Sequence, residues 1–367
     1  MALANAARQP DASAVKTTPV EKKFRDEKGI THVNNYIVGR RLGSGRFSST
    51  KEYDLIDPST GAVQGRFAGK RYRKGVLARK KEFRRDPVTQ RPQIYTKLQE
   101  VWEEIRILSL LNSPYCVHVR EILESGSQNG GEEGKLIIIT NLQACGSVMS
   151  LKEEAVEERF VPALKNAVTI SEPVCRCIVR DVAQGLLYLH EKLNIAHRDV
   201  KPDNILMGED GNVQLGDMGS ADFMDPQGRV KNTKGTYMFM SPESMRVSTS
   251  PEEPYEGHSG RAADVWALGI SLYVMLFGEM PFKRATCMEQ LFAQLAEGAV
   301  VLPDDKAASV SEDGKRVLLS LLQSEVNDRM TLPALLEHPW IKGADSAEAA
   351  RYARLVMDDM ATSSGSA

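Results

Sequence analysis

Apolar positions change their spacing along this chain, and the change divides it in two. From residue 35 to 72 they come in short runs broken by turn residues. Asn35-Tyr36-Ile37-Val38-Gly39-Arg40-Arg41-Leu42 leads into a Gly/Ser turn, Pro58-Ser59-Thr60-Gly61 marks a hairpin, and Gly65–Lys70 supplies the next strand. Helical spacing follows over about 96–111, where Val101, Ile105, Leu108 and Leu111 share a face. Leu136-Ile137-Ile138-Ile139 is short and wholly apolar, as a buried strand is. Beyond it helices dominate. Ser171 precedes a stripe of Val174, Cys177, Ile178, Val182, Leu186 and Leu189, and Asp264–Phe277 is apolar on nearly every side. Asn204–Met207 and Val213–Leu215 read as two short strands around Glu209-Asp210-Gly211, and the last helical piece closes at Pro339-Trp340-Ile341. No internal repeat is present. Strands first and helices second predict an α+β fold of two lobes.

Composition narrows the class without naming a chemistry. The 367 residues suffice for two lobes, and 42% apolar content supports a packed core. A net charge of -2 gives no overall drive toward nucleic acid or acidic membrane. No apolar run looks long enough to span a bilayer, Met1–Asn5 lacks the pattern of a secretory signal, and Ala2 stands where myristoylation needs glycine. The expectation is a soluble, cytoplasmic protein. Five cysteines, an odd number, argue against a disulfide framework, and Cys175 and Cys177 read as structural thiols. Residues 1–34 are expected to be a flexible tail. The basic insert at 74–97, with Arg79-Lys80-Lys81, Arg84-Arg85 and Arg91 around Pro87 and Pro92, is expected to be largely loop.

The chemistry concentrates in His197-Arg198-Asp199-Val200-Lys201-Pro202-Asp203-Asn204. Asp199 can accept a hydroxyl proton, Lys201 can steady a migrating phosphate and Asn204 can hold a magnesium ion. Asp217-Met218-Gly219 offers a second, harder magnesium ligand in Asp217. Gly43-Ser44-Gly45-Arg46-Phe47-Ser48 follows a strand and lets backbone approach phosphates. Lys70, in Ala68-Gly69-Lys70, needs an acidic partner to aim it at phosphates. Glu104 is preferred because Ile105 and Leu108 follow it on the buried face, and Glu103 is the adjacent alternative. Glu243 can pair with Arg329, and Asp264 can hold the His-Arg-Asp turn from beneath.

From about Tyr36 to Ile341 these motifs, in this order, resemble the eukaryotic protein kinases. The resemblance implies a β-rich N-lobe (35–140), a hinge (141–147) and a mainly helical C-lobe (148–341), with ATP in the cleft between the lobes. It implies Leu42, Thr50, Ala68, Thr140, Asn141, Gln143 and Leu206 as further nucleotide contacts, with Thr140 at the gatekeeper position. Lys201 beside Asp199, and Thr236 as the loop threonine that bonds both, follow the serine/threonine pattern. Thr233 is the candidate loop phosphosite, its phosphate received by Arg198. Ser48 replaces the third glycine, Thr50 the usual valine and Met218 the usual phenylalanine.

Gly146-Ser147-Val148-Met149 and the Arg91-Pro92 insert are similar to the calcium/calmodulin-dependent kinase kinases, whose substrates are activation-loop threonines of other kinases. Kinases of the liver kinase B type and fungal activators of the AMP-activated kinase are competing resemblances. Asp345–Met360 carries only Arg351 and Arg354 as cations against Asp358-Asp359, a poor calmodulin target by charge. The rival classes are a pseudokinase scaffold and a nucleic-acid-binding patch at 71–97. Retention of Lys70, Glu104, Asp199, Asn204 and Asp217 speaks against the first, and the scarcity of aromatics speaks against the second.

Overall fold

Leu136–Ile139 has apolar side chains on both faces, so the strand that carries it must be covered on both. The computed structural model describes residues 15–27, 29–85, 92–126, 134–150, 169–231, 234–245, 256–282, 290, 293–294 and 300–364. The described chain divides into two compact units, residues 1–112 with 117–142 and residues 113–116 with 143–367.

The first unit is built on strands β1 (Thr17–Pro19), β2 (Lys23–Arg25), β3 (Thr31–Val33), β4 (Tyr36–Ser44), β5 (Ser48–Ile56) and β6 (Val63–Arg73). A short helix, α1 (Lys74–Arg79), leads to the hairpin β7 (Lys81–Arg85) and β8 (Pro92–Thr96), then to helix α2 (Lys97–Leu108). Strands β9 (Val119–Glu124) and β10 (Lys135–Asn141) complete the unit. Eight strands share one sheet in the order β1-β9-β10-β6-β5-β4-β3-β2. β10 lies inside it, and Leu136, Ile137, Ile138 and Ile139 are buried. Pairing of β10 with β6 sets Ile138 opposite Lys70 and Thr140 opposite Ala68.

Residues 17–33 differ from the expected tail: they form three strands. β1 and β2 lie at opposite ends of the sheet order yet are separated only by residues 20–22. That link spans at most about 15 Å, so the sheet must curl until its two edges meet. Asn34, in the left-handed region at φ 49, stitches the junction. Its Oδ1 accepts from the Glu21 and Lys22 amides at 3.0 and 3.2 Å, and its Nδ2 donates to the Pro19 carbonyl at 2.9 Å. Beneath lie Val33, Tyr36, Tyr53, Leu123, Ile137 and Ile139. These strands are too short and polar for local propensity; sheet edges and side-chain bonds recruit them.

The basic insert also differs from expectation. Helix α1 and the β7–β8 hairpin replace most of the loop, and Pro92 opens its strand, where a missing N–H is tolerated. Pro87 and Arg91 lie outside the described residues.

The second unit holds the three-stranded sheet of β11 (Gly146–Ser147), β13 (Ile205–Met207) and β14 (Val213–Leu215), with β12 (Ile195–Ala196) paired to β15 (Asp222–Phe223) and β16 (Arg229–Val230) to β17 (His258–Ser259). Its helices include α3 (Glu172–Lys192), α4 (Pro242–Met245) and α5 (Gly260–Phe277). α5 is in fact long and apolar enough to cross a membrane, but it is mostly buried inside this unit as a core helix. Ser259 caps its start, and Gly278, at φ 67, ends it. The final helix, Ser346–Ser364, also packs here. Ala349 and Ala353 are buried, and Gly211 (φ +83) has no room for a Cβ, which would stand 2.4 Å from the Ala349 carbonyl carbon.

Replacing Asn34 with Ala removes three hydrogen bonds and a side chain tolerant of the left-handed region. The expected loss is about 1–2 kcal/mol. A thermal melt that falls by several degrees, with Lys70, Glu104 and Asp199 untouched, checks the closure; an unchanged melt contradicts it.

Candidate active site

In the first unit, strand alternation sends Lys70 and Tyr72 to the same face of β6. α2 presents Glu104 to both: Lys70 Nζ donates to Oε1 at 2.9 Å and the Tyr72 hydroxyl to Oε2 at 3.1 Å. Glu104 is buried and Glu103 exposed, which settles the alternative. A capping box between Thr96 and Gln99 fixes where α2 begins. Thr50 pairs with Lys70 across β5 and β6, and with Gly43 across β4 and β5. The intervening turn is held by the Gly45 amide donating to the Ser48 carbonyl at 3.1 Å, with Arg46 over the Phe47 ring. Ser44, Gly45 and Arg46 are exposed, as is Leu42. The Thr140 hydroxyl donates to the Ala68 carbonyl at 3.4 Å, and the Asn141 side chain accepts from the His118 amide at 2.9 Å.

In the second unit, Asp199 is the centre of a closed set of bonds. Its Oδ1 accepts from the Thr236 hydroxyl at 2.7 Å and the Thr236 amide at 2.9 Å. Its Oδ2 lies 3.1 Å from Lys201 Nζ and accepts from Asn204 Nδ2 at 3.0 Å. Lys201 Nζ also donates to the Thr236 hydroxyl at 2.7 Å. A carboxylate so held has one geometry to offer an incoming hydroxyl. Gly235, at φ +103, must be glycine, because a Cβ there would meet the Arg198 carbonyl at 2.1 Å.

Asp264 holds this loop from below. Fully buried on α5, its carboxylate accepts from the His197 amide at 2.8 Å, the Arg198 amide at 2.7 Å and His190 Nε2 at 2.8 Å. Burial, the largest single influence, raises its pKa, but the hydrogen bond and charge of His190, the charge of His197 and the Arg198 amide together outweigh burial and hold it below the usual carboxylate value. His197 Nε2 donates to the Gly216 carbonyl at 2.9 Å, and the Gly216 amide donates to the Asn204 carbonyl at 2.8 Å. These bonds bring Asp217 beside Asn204. Asp217 takes the left-handed region, φ 53, and accepts from the Gly219 amide at 3.3 Å. Met218 is buried. Gln143 Nε2 donates to Gln214 at 2.7 Å, and Leu206 pairs with Ser147 between β13 and β11. Glu243 and Arg329 form a two-bond ion pair at 2.6 and 3.0 Å. Thr233 lies outside the described residues.

A family model of the protein kinase domain matches residues 36–341. The chain belongs to the protein kinase family. Relatives include the serine/threonine-protein kinase GRIK1 of Arabidopsis thaliana, 28% identical over 335 residues, 91% of this chain and 73% of that protein. The calcium/calmodulin-dependent protein kinase cmkA of Emericella nidulans is 29% identical over 317 residues, 85% of this chain and 64% of that protein. A calcium/calmodulin-dependent protein kinase kinase of Caenorhabditis elegans is 27% identical over 312 residues, 84% of this chain and 53% of that protein. The two units are the β-rich and mainly helical lobes of the kinase fold, and the chain is a protein serine/threonine kinase.

Kinases of this family use ATP and a divalent metal, and the residues here suit the metal. Both bonds of the Asn204 amide use its Nδ2, leaving Oδ1 as an acceptor next to the segment that carries the Asp217 carboxylate. Two hard oxygens are an incomplete shell, to be filled by water and phosphate. Among the described residues no group of three or more His, Cys, Asp or Glu forms a metal cage. Tyr72 and His190 were absent from the sequence expectations. Tyr72 was findable from its two-residue spacing to Lys70, whereas His190 faces Asp264 across 74 positions and gives no local signal.

Lys70→Met should lower turnover by about 100-fold or more with a native melt, since Glu104 keeps its Tyr72 bond. Asp264→Asn should cost about 3 kcal/mol or more. Because the folded pKa of Asp264 is depressed, its contribution is present above about pH 4 and fades as pH falls through the lower folded value. The stability gap between wild type and Asp264→Asn, followed by melts from pH 7 to 3, should therefore narrow only at the acid end.

Proposed function

We propose that this kinase uses magnesium-ATP to phosphorylate activation-loop threonines of other protein kinases. The observation that carries the reading is the structured basic hairpin inserted between the Lys70 strand and the Glu104 helix. Phe83 stands 83% exposed on β7 and Ile94 55% exposed on β8, beside Lys80 and Lys81. An ordered strand pair with exposed apolar side chains and neighbouring lysines suits a protein substrate that is partly acidic and partly apolar. The likeness to a kinase kinase of Caenorhabditis elegans supports the same reading.

Segment 345–360 does not serve as a calmodulin target in this proposal. The final helix already spends its Ala349 and Ala353 on the second unit, and the Cys145 thiol donates to the Ala353 carbonyl at 3.6 Å. Magnesium suits the Asn204 and Asp217 oxygens as an ion that keeps water and binds through few protein ligands.

A panel of kinase activation-loop peptides, with and without calcium-calmodulin, tests the proposal. Phosphate should appear on the loop threonine, at the same rate in both conditions. Deleting residues 82–94, which leaves the Thr96 cap in place, should reduce rates on whole kinase substrates far more than on short generic peptides. Preference for unrelated serine peptides, or indifference to the deletion, overturns it. Thr140 gives an independent check on the nucleotide site: Thr140→Met should weaken ATP-competitive inhibitors with a bulky group at that position by about tenfold or more, and unchanged affinity contradicts the placement.

A further inference from the structure

Arg198 carries a charge in the catalytic loop that proton transfer at Asp199 does not use. Its side chain is 3% exposed, and its backbone lies in the left-handed region at φ 68. A guanidinium does not lose its proton, so a buried one requires negative charge nearby. Asp222 supplies it: Arg198 Nη1 donates to Asp222 Oδ2 at 3.2 Å. Strand pairing puts it there, since β12–β15 register sets Asp222 opposite Ala196, two residues before Arg198.

The same oxygen has a second cation. Lys234 Nζ stands 3.5 Å from Asp222 Oδ2. Lys234 directly precedes Gly235 and Thr236, and Gly235 packs against the Arg198 carbonyl. Asp222 itself follows Asp217 by five residues. One carboxylate thus touches or adjoins three segments: the loop of Asp199, the segment of the metal ligand and the segment of Thr236. Two cations, Arg198 and Lys234, thus meet at this one carboxylate oxygen. Arg198, Lys234 and His258 line one cavity with Asp199, Thr236 and Asp264. Burial, and then the Arg198 charge, lower the pKa of His258.

We propose that Asp222 is a positioning residue for phosphoryl transfer: its carboxylate supplies, from within the chain, the negative charge that Arg198 and Lys234 need to hold Thr236 against Asp199. A phosphate added to the loop is then unnecessary for basal turnover. The inference rests on Asp199 acting in catalysis, and its test separates the two.

Full-length protein is treated with phosphatase, shown by mass spectrometry to lack loop phosphate, and assayed for kcat and for KM of ATP and peptide. Wild type should keep its turnover. Asp222→Asn should lose about tenfold or more in kcat with KM for ATP changed less than about twofold, and Asp222→Glu should recover most of the loss. Thermal melts accompany each variant. Should Asp222→Asn fail to fold, Lys234→Gln gives the same readout, a fall in kcat at constant KM for ATP. Asp199→Asn is the control: if it turns over normally, the reading of the active site fails before Asp222 is at issue. With that control inactive, two results overturn the inference. One is a folded Asp222→Asn enzyme within twofold of wild-type kcat. The other is wild type that loses its activity with its loop phosphate.

Discussion

A single buried carboxylate, that of Asp264, sets the geometry on which the second unit depends. It takes backbone N–H groups from His197 and Arg198 and a ring N–H from His190, so three otherwise buried donors are satisfied at once. Each is charge-assisted, and Asp264 is shielded from bulk solvent, being fully buried. Asp199 follows in the chain, and its own bonds to Thr236, Lys201 and Asn204 are possible only because the preceding turn is fixed.

That turn is strained. Arg198 and Asp217 are non-glycine residues at φ 68 and 53, each costing about 1–2 kcal/mol relative to an ordinary conformation. The strain aims Asp199 and Asp217, and neighbouring bonds maintain it. Asp264 and Asp222 hold Arg198 by its amide and guanidinium, and the Gly219 amide meets the Asp217 side chain. The first unit is organised by similar logic with a smaller penalty: Glu104 is buried, and Lys70 and Tyr72 each bond one of its oxygens.

Much of this was legible in the sequence because the relevant signals are local. Helical spacing chose Glu104 over Glu103, and the spacing within His197–Asn204 grouped Asp199, Lys201 and Asn204 before any fold was known. The segments that escaped depend on partners distant in the chain. Thr17–Pro19 becomes a strand because β9 offers an edge and Thr18 can bond Glu121. Lys81–Arg85 and Pro92–Thr96 pair as antiparallel strands although Pro92 opens one of them. Asp222 is an ordinary acidic residue until β15 pairs with β12 and sets it beside Arg198. Strand pairing between remote segments has no short-range pattern to announce it.

The account turns on Asp199 serving as the group that receives a serine or threonine proton. The most direct measurement is phosphoamino-acid analysis of protein substrate labelled from ATP, with wild type and Asp199→Asn proteins of matched thermal melt. Label on serine or threonine with wild type, and a drop of about 1000-fold or more with Asp199→Asn, is the predicted result. Label on tyrosine, or undiminished transfer by a folded Asp199→Asn protein, would contradict it.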